Sequence, residues 1–598
     1  MRLRRAGGPN LKELVYRFQL DLESSPERLW PLVSDTNRFN RDAGVPAVER
    51  RGVGRNARRR LRLSRLGVPI EWEEEPFEWV SPHRFSVGRR YFSGPVDSMT
   101  TTLELVPRPG GGTRLDYEVR ARPRNLIGLI AIPLQIGLVS RRRFCEVFGR
   151  YDATAREPQP LPPAPSRVAT GASGRIAASR QALVAAGAAA ELVDRLCAFV
   201  EHADDLSVGK LRPYVLADLW GAERRAALTL CLEATRHGLL ELRWELLCPL
   251  CRGAAAVATS LREVNGTLHC DTCLIDFTAD FERSVEVAFR PAPAVRRVEA
   301  ADYCVAGPQI TPHVVAQQLL PPSGHRTLDL RLEPGRYRLR VLAVSGALPV
   351  LVGPGGATAA DAGPGPDGWP AEELRLDEQA SLRLRNDTAE EQLLLLERTA
   401  WSDQAATASE VTSLQVFRDL FATRALRPGE PISVGSLTVV FTDLRGSTRY
   451  YREIGDASAF GSVLDHLDVL RRIVSAEEGA VVKAMGDAIM AVFARPVCAV
   501  RAMLAAQQAV AGQPLALKVG IHYGPCIAVD QNGVLDYFGS TVNLAARLVG
   551  ISSGDDIVVS DAVLADPEVE ALALATEPVA VTLKGFEDEA PGLWRVTA

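Results

Sequence analysis

Apolar positions along this chain change rhythm several times, and each change marks a predicted element. Over residues 14–22, Tyr16, Phe18, Leu20 and Leu22 alternate with polar neighbours, the period of a half-buried strand. Ser24-Ser25-Pro26-Glu27 then opens a helix, with proline in the first turn where no N–H is needed. Further runs predict strands over 68–73, 84–91, 98–105 and 114–121, and a helix over 141–153. Beyond residue 175 the spacing turns helical, with Leu183, Ala186, Ala190, Val193, Leu196, Phe199 and Val200 at helical intervals. Residues 211–247 have a helix–helix–hairpin rhythm. Short alternating runs return at 328–332, 337–344 and 380–386, around a glycine-rich loop at 353–368, and predict a small β-sandwich. A helix within 402–425 opens on a Thr407/Glu410 capping box and carries Val411, Leu414, Phe417, Leu420 and Phe421. The last stretch reads strand 437–442, helix 457–476, two strands around Asp487, helix 499–511, strand 515–522 and helix 541–548.

Length and composition turn this string of elements into domains. A chain of 598 residues predicts about four domains, and the fold class is multidomain α+β. The divisions are an α+β domain over 1–156, a proline-rich linker over 157–174 and a helical, winged-helix-like region over 175–247. A cysteine-rich segment follows over 248–280, a β-sandwich over 281–400, a linker helix over 401–432 and a final α+β domain over 433–598. A net charge of −4 and a pI near 6.2 argue against nucleic acid as an obligatory partner. In the winged-helix-like part, Arg224, Arg225, Arg236 and Arg243 are balanced by Glu223, Glu233, Glu241 and Glu245. No apolar run follows the basic first ten residues, so no secretory signal and a cytoplasmic setting are expected. The one long apolar stretch, 126–139, makes only about 21 Å of helix against the roughly 30 Å of a bilayer core. Pro133 and Gln135 interrupt it, and it is expected to be buried, with a helix lying at a membrane interface as the alternative.

Candidate chemistry sits at two places. Cys248-x-x-Cys251 and Cys270-x-x-Cys273, eighteen residues apart, have the spacing of a zinc ribbon, four thiolates closing a tetrahedron around a structural Zn²⁺. A cytosolic setting makes stable disulfides the poorer reading. The second place is the last domain. Asp443 ends an apolar strand and precedes a turn into a helix with Ser or Thr expected at its cap; Gly486-Asp487 is a two-residue hairpin signal. Neighbouring strands would bring both carboxylates to one sheet edge, hard oxygen ligands suited to magnesium-bound phosphates. A third stretch, Asp536 to Arg547, has Ser540 or Thr541 as the expected cap, with Asn543 and Arg547 four apart on one helical face.

The three motifs F-T-D-L-R-G-S-T, K-A-M-G-D and D-Y-F-G-S-T-V-N-L-A-A-R resemble, in order and spacing, the class III nucleotidyl cyclases. The resemblance covers about the last 165 residues, whose βαββαβ order is that of a ferredoxin-like palm with one helix more. It implies that Asp443 and Asp487 hold two Mg²⁺ or Mn²⁺ ions, and that Lys483 and Asp536 select the base. Asn543 would orient the ribose, Arg547 would stabilise charge at the α-phosphate, and Lys584 in an LKG triplet would grip the triphosphate. An ionised Asp only accepts hydrogen bonds and a charged Lys only donates them. Adenine presents the matching donor and acceptor and guanine the reverse, so ATP is the expected substrate. Guanine-using members of the family typically carry Glu and Cys there. The implied product is cyclic AMP, made at a site shared by two protomers of a homodimer. Residues 1–156 resemble START-like helix-grip domains. Those often enclose an apolar small ligand, so a sensor is one expectation for them and a cavity-free interaction module the other.

Overall fold

In this computed structural model the described residues are 11–597, apart from 66, 157–167, 251, 265–266, 271–272, 274, 282–283, 299–300, 367, 400–404, 422–431, 514, 532–533, 582, 584–585 and 587–590. Cys251, Lys584 and residues 157–167 of the proline-rich linker therefore lie outside them.

The N-terminal part is a curved antiparallel sheet gripping a long helix. Strand Leu14–Leu22 pairs with Thr113–Pro123, which pairs in turn with Val96–Pro107 and then Arg84–Tyr91. Helix Arg141–Arg156 lies against it, packing Phe144 and Phe148 among Phe18, Phe39 and Tyr117. Ring centroids stand 4.9 Å apart for Phe39–Phe148 and 5.1 Å for Tyr117–Phe144. Such aromatic packing fills space on the concave face where an apolar ligand was one expectation.

Two sequence-based expectations change here. Residues 281–400 do not stand apart as a sandwich. Their strands, from Val314–Leu320 to Gln392–Arg398, continue the N-terminal sheet into one of fourteen strands. The join is Ala316 opposite Val80 and Gln317 opposite Trp79. It is tightened by Trp79 Nε1 donating to the Val314 carbonyl and by Gln317 Nε2 donating to that of Phe77. Two sheet edges that would each expose backbone N–H and C=O groups satisfy one another. The apolar 126–139 stretch is also not buried. It forms helix Leu126–Ile132 and a π-helix Pro133–Ser140, and its largest side chains point to solvent.

Helices Pro213–Trp220 and Arg224–Arg236 precede strand Leu240–Leu247, which pairs with Ala254–Ala258 and Val285–Pro291. Two short helices, Ala408–Thr412 and Gln415–Phe421, then lead to the last domain.

That domain runs β1 (Ile432–Arg445), α1 (Ser447–Ile454), α2 (Asp456–Ala476), β2 (Gly479–Met485), β3 (Ala488–Phe493), α3 (Pro496–Val510), β4 (Ala516–Gln531), β5 (Val534–Phe538) and α4 (Ser540–Leu548). Sheet order β2-β3-β1-β4 places β1 at the centre, and short strands beyond β4 widen the sheet. Alternation along β1 splits the core. Val440 and Leu444 face α2 and α3, while Leu437, Val439 and Phe441 face the linker helices and α4. Gly520 on β4 lets α4 come close, since a Cβ there would lie 2.4 Å from the Val549 nitrogen.

Candidate functional site

Each candidate side chain is set by the end of an element in this domain. Asp443 lies near the C-terminal end of β1, opposite Lys518 of β4. Gly446 follows at φ 84, and this left-handed glycine, not a hydroxyl residue, is the N-cap of α1; no side chain satisfies the helix's first N–H groups. Gly486, at φ 71, and Asp487 form the two-residue turn between β2 and β3, with Met485 paired to Ala488. The N-cap of α4 is likewise a glycine, Gly539, because Thr541 commits its hydroxyl to the Pro525 carbonyl at 2.7 Å.

The two aspartates share a neighbourhood. Burial pushes the Asp443 carboxyl above its ordinary range, and the Asp487 carboxylate pushes it the same way. Lys518 Nζ, 4.0 Å away, opposes them. Asp487 Oδ2 is buried without a hydrogen-bond partner among the described residues. Leaving a buried carboxylate oxygen unmatched is costly. Two adjoining carboxylates, one of them orphaned, fit a divalent cation as the missing partner. His466 on α2 belongs to the same neighbourhood. Burial pulls its imidazole below the usual range while Asp487 works the other way, and its Nε2 is also without a partner. The motif reading missed His466 and Lys518. A mid-helix histidine and a strand lysine carry no local signal, and only the folded sheet brings them to the aspartates.

Lys483 and Asp536 meet across β2 and β5. Lys483 Nζ donates to Asp536 Oδ2 at 2.7 Å, and the Tyr537 backbone N–H donates to Asp536 Oδ1 at 2.8 Å. Asp536 is buried and Lys483 partly exposed, with its ammonium 5.8 Å from the centre of the Phe538 ring. Asn543 and Arg547 are exposed on one face of α4, and the Arg547 guanidinium has no partner among the described residues. Thus both ions of one pair are in place, while the Arg547 guanidinium and Asp487 Oδ2 have no partner among the described residues. The LKG lysine, Lys584, lies outside the described residues.

In the cysteine-rich segment, Cys248, Cys270 and Cys273 are buried with their Sγ atoms all within 4.8 Å of one another. Backbone N–H groups of Leu250 and Cys273 point at the Cys248 and Cys270 sulfurs at 3.4 Å. Converging thiols with N–H···S support fit a thiophilic metal. The fourth cysteine of the expected set, Cys251, is outside the described residues.

Comparison with known proteins agrees with this placement. Residues 430–585 match the family model for the adenylate and guanylate cyclase catalytic domain, and residues 177–309 match a family of unknown function, DUF5939. An uncharacterized protein of Mycobacterium tuberculosis is 35% identical over 149 residues, 25% of this chain and 38% of its own length. An adenylate cyclase of Anabaena cylindrica is 30% identical over 199 residues, 28% of this chain and 39% of that protein. This chain thus spans well under half the length of these relatives. The crystal structure of the adenylyl cyclase CyaB from P. aeruginosa is 22% identical, with a TM-score of 0.26, covering 28% of this chain and 96% of that one. Over residues 430–585 the chain is therefore similar to the adenylate and guanylate cyclase catalytic domain.

Proposed function

We propose that the protein is an adenylate cyclase, forming 3′,5′-cyclic AMP and pyrophosphate from ATP at a site completed by a second copy of the chain. The observation that carries the choice of base is the Lys483–Asp536 pair at 2.7 Å inside the cyclase segment. An ionised Asp536 only accepts hydrogen bonds and a charged Lys483 only donates them. Adenine's exocyclic amine and ring nitrogen complement that arrangement, whereas guanine would leave both groups mispaired.

Asp443 and Asp487 would hold Mg²⁺ or Mn²⁺, which when bound acidifies the ribose 3′-hydroxyl and offsets charge on the phosphates. Asn543 would keep the ribose turned toward its own α-phosphorus, and Arg547, reaching in from the other protomer than the aspartates, would take up the charge that grows there. Lys584 would grip the triphosphate. The four cysteines Cys248, Cys251, Cys270 and Cys273 would close around a structural Zn²⁺, and the regions before residue 430 would regulate the catalytic pair.

The test is a product assay on the purified full chain with magnesium or manganese, offering ATP and GTP side by side. Cyclic AMP as the dominant product is expected. Dominant cyclic GMP, or no cyclic product from either, overturns the reading.

A further inference from the structure

Between Asn125 and Ser140 the sequence contains no Asp, Glu, Lys or Arg. The segment is docked on the N-terminal sheet by its smallest residues. A Cβ on Gly128 would fall 2.3 Å from the Pro95 carbonyl oxygen, and one on Gly137 would fall 3.0 Å from the Tyr16 ring. With the glycines and Ile132 turned inward, most of the remaining large side chains turn out. Leu126, Ile127, Ile130, Leu134 and Leu138 are between 58% and 74% exposed, and Val139 is 42% exposed. Four of them recur every fourth residue, which aligns them as a strip along one helical face. Isolated exposed leucines need no explanation, but a contiguous uncharged strip marks a surface that meets something apolar.

Charge around the strip identifies what it meets. Arg122 and Arg124 precede it, and Arg141, Arg142 and Arg143 follow directly. Their carboxylate neighbours are few: Asp97 stands 3.8 Å from Arg124, and Glu146 stands 2.9 Å from Arg142. Arg122 and Arg141 have no carboxylate partner among the described residues. The apolar strip is therefore rimmed by positive charge at both ends.

We propose that this face docks on an anionic lipid bilayer, the leucines and isoleucines seated at the boundary between headgroups and acyl chains and the arginines on the headgroups. It lies on the surface and does not cross it, since no helix among the described residues is long and apolar enough to span a membrane. A second copy of the chain is the poorer occupant. Two strips related by a two-fold axis would set arginine clusters against arginine clusters, where like charges repel. An anionic headgroup layer answers both the apolar strip and its rim.

Flotation of the full chain with phosphatidylcholine vesicles, with and without phosphatidylglycerol, tests this. Binding should require the anionic lipid and weaken with salt. Ile130→Gln combined with Leu134→Gln should lower the bound fraction about tenfold or more. Arg141→Gln alone should lower it about fivefold, the share of one basic residue near an anionic surface. These side chains face solvent, so circular dichroism and gel filtration should show the variants folded as the parent. Absence of binding to anionic vesicles overturns the proposal. So does equal binding by the Ile130/Leu134 variant. A fall in oligomer mass in that variant, without any vesicle binding, assigns the strip to a second copy instead and overturns it as well.

Discussion

Asp487 and Arg547 illustrate how the catalytic segment is built at the scale of single residues. One is a carboxylate with a buried, partnerless oxygen, the other a guanidinium left on a helix surface. In the proposed reaction a cation would answer the first and substrate charge the second. Lys483 and Asp536 are the opposite case, already joined. Replacing both, Lys483→Glu with Asp536→Cys, should exchange the donor and acceptor pattern. We expect ATP turnover to fall by about a hundredfold and the GTP-to-ATP ratio to rise at least about tenfold, because mispaired polar groups are penalised heavily. Side-by-side product assays read this, and an unchanged ratio would refute their role in base choice. At the aspartates, burial and mutual repulsion already lift the Asp443 carboxyl. Magnesium or manganese should therefore raise the thermal midpoint of the wild-type chain and leave that of Asp443→Ala where it was.

Among the elements, the two short helices before the cyclase domain do the most connecting. Arg418 donates to the Leu535 carbonyl and lies over the Tyr537 ring, while Tyr537 donates its hydroxyl to the Thr412 carbonyl at 3.1 Å. Gln415 accepts from the Val481 N–H at 2.8 Å, on the strand that carries Lys483. On its other side this linker meets the helical region, where Tyr214 bonds to Glu410 and Trp244 packs edge-on to Phe417. The strands bearing Lys483 and Asp536 are thus braced by the linker. Arg418→Ala removes a charged hydrogen bond of about 1.5–3 kcal/mol. It should raise KM for ATP by about tenfold and speed amide exchange over residues 534–538. Arg418→Lys should recover part of the loss. Faster exchange without any change in KM would make Arg418 a packing residue only.

For the whole molecule, the contact between the helical region and the N-terminal part is ionic and buried. Asp204 of the helical region accepts from both Arg38 (2.8 Å) and Arg41 (2.5 Å) of the N-terminal part. Burial alone would raise its carboxyl, but Arg38, Ser207 and Arg41 outweigh that and hold it well below the usual range. A depressed carboxyl stabilises the fold above its unfolded pKa of about 3.9 and loses that contribution as pH falls toward its folded value. Asp204→Asn should cost about 1.5–3 kcal/mol at neutral pH, the worth of a hydrogen bond to a charged group, since Arg38 keeps Asp35 and Arg41 keeps Asp42. The gap between wild type and variant in denaturant titrations should narrow below about pH 4; a gap independent of pH would contradict the linkage. The shared site makes a second prediction at this scale. Asp443→Ala and Arg547→Ala chains, each inactive alone, should regain activity on mixing, since one heterodimer site keeps both residues. At most about a quarter of wild-type activity is expected from random pairing of two inactive types, and no recovery would contradict a site built from two copies.

What the sequence determined by itself was local: the Gly-Asp hairpin at Asp487, the four-residue spacing of Asn543 and Arg547, the paired Cys-x-x-Cys knuckles, and the strand–helix order of the last domain. These depend on φ preferences and on periods of two and 3.6 residues, which neighbouring positions set among themselves. Tertiary structure decided what depends on partners far along the chain. It joined Trp79 and Val80 to Ala316 and Gln317, making one sheet where two domains were expected. It brought His466 and Lys518 to the aspartates, and put glycines rather than hydroxyls at two helix N-caps, at one of which Thr541 found another acceptor. It also turned much of the bulky side of 126–139 outward, since Gly128 and Gly137 make the close approaches to Pro95 and Tyr16 while only Ile132 among its large side chains is buried. Hydropathy states how apolar a stretch is; which of its faces is covered is settled by the surface it lands on.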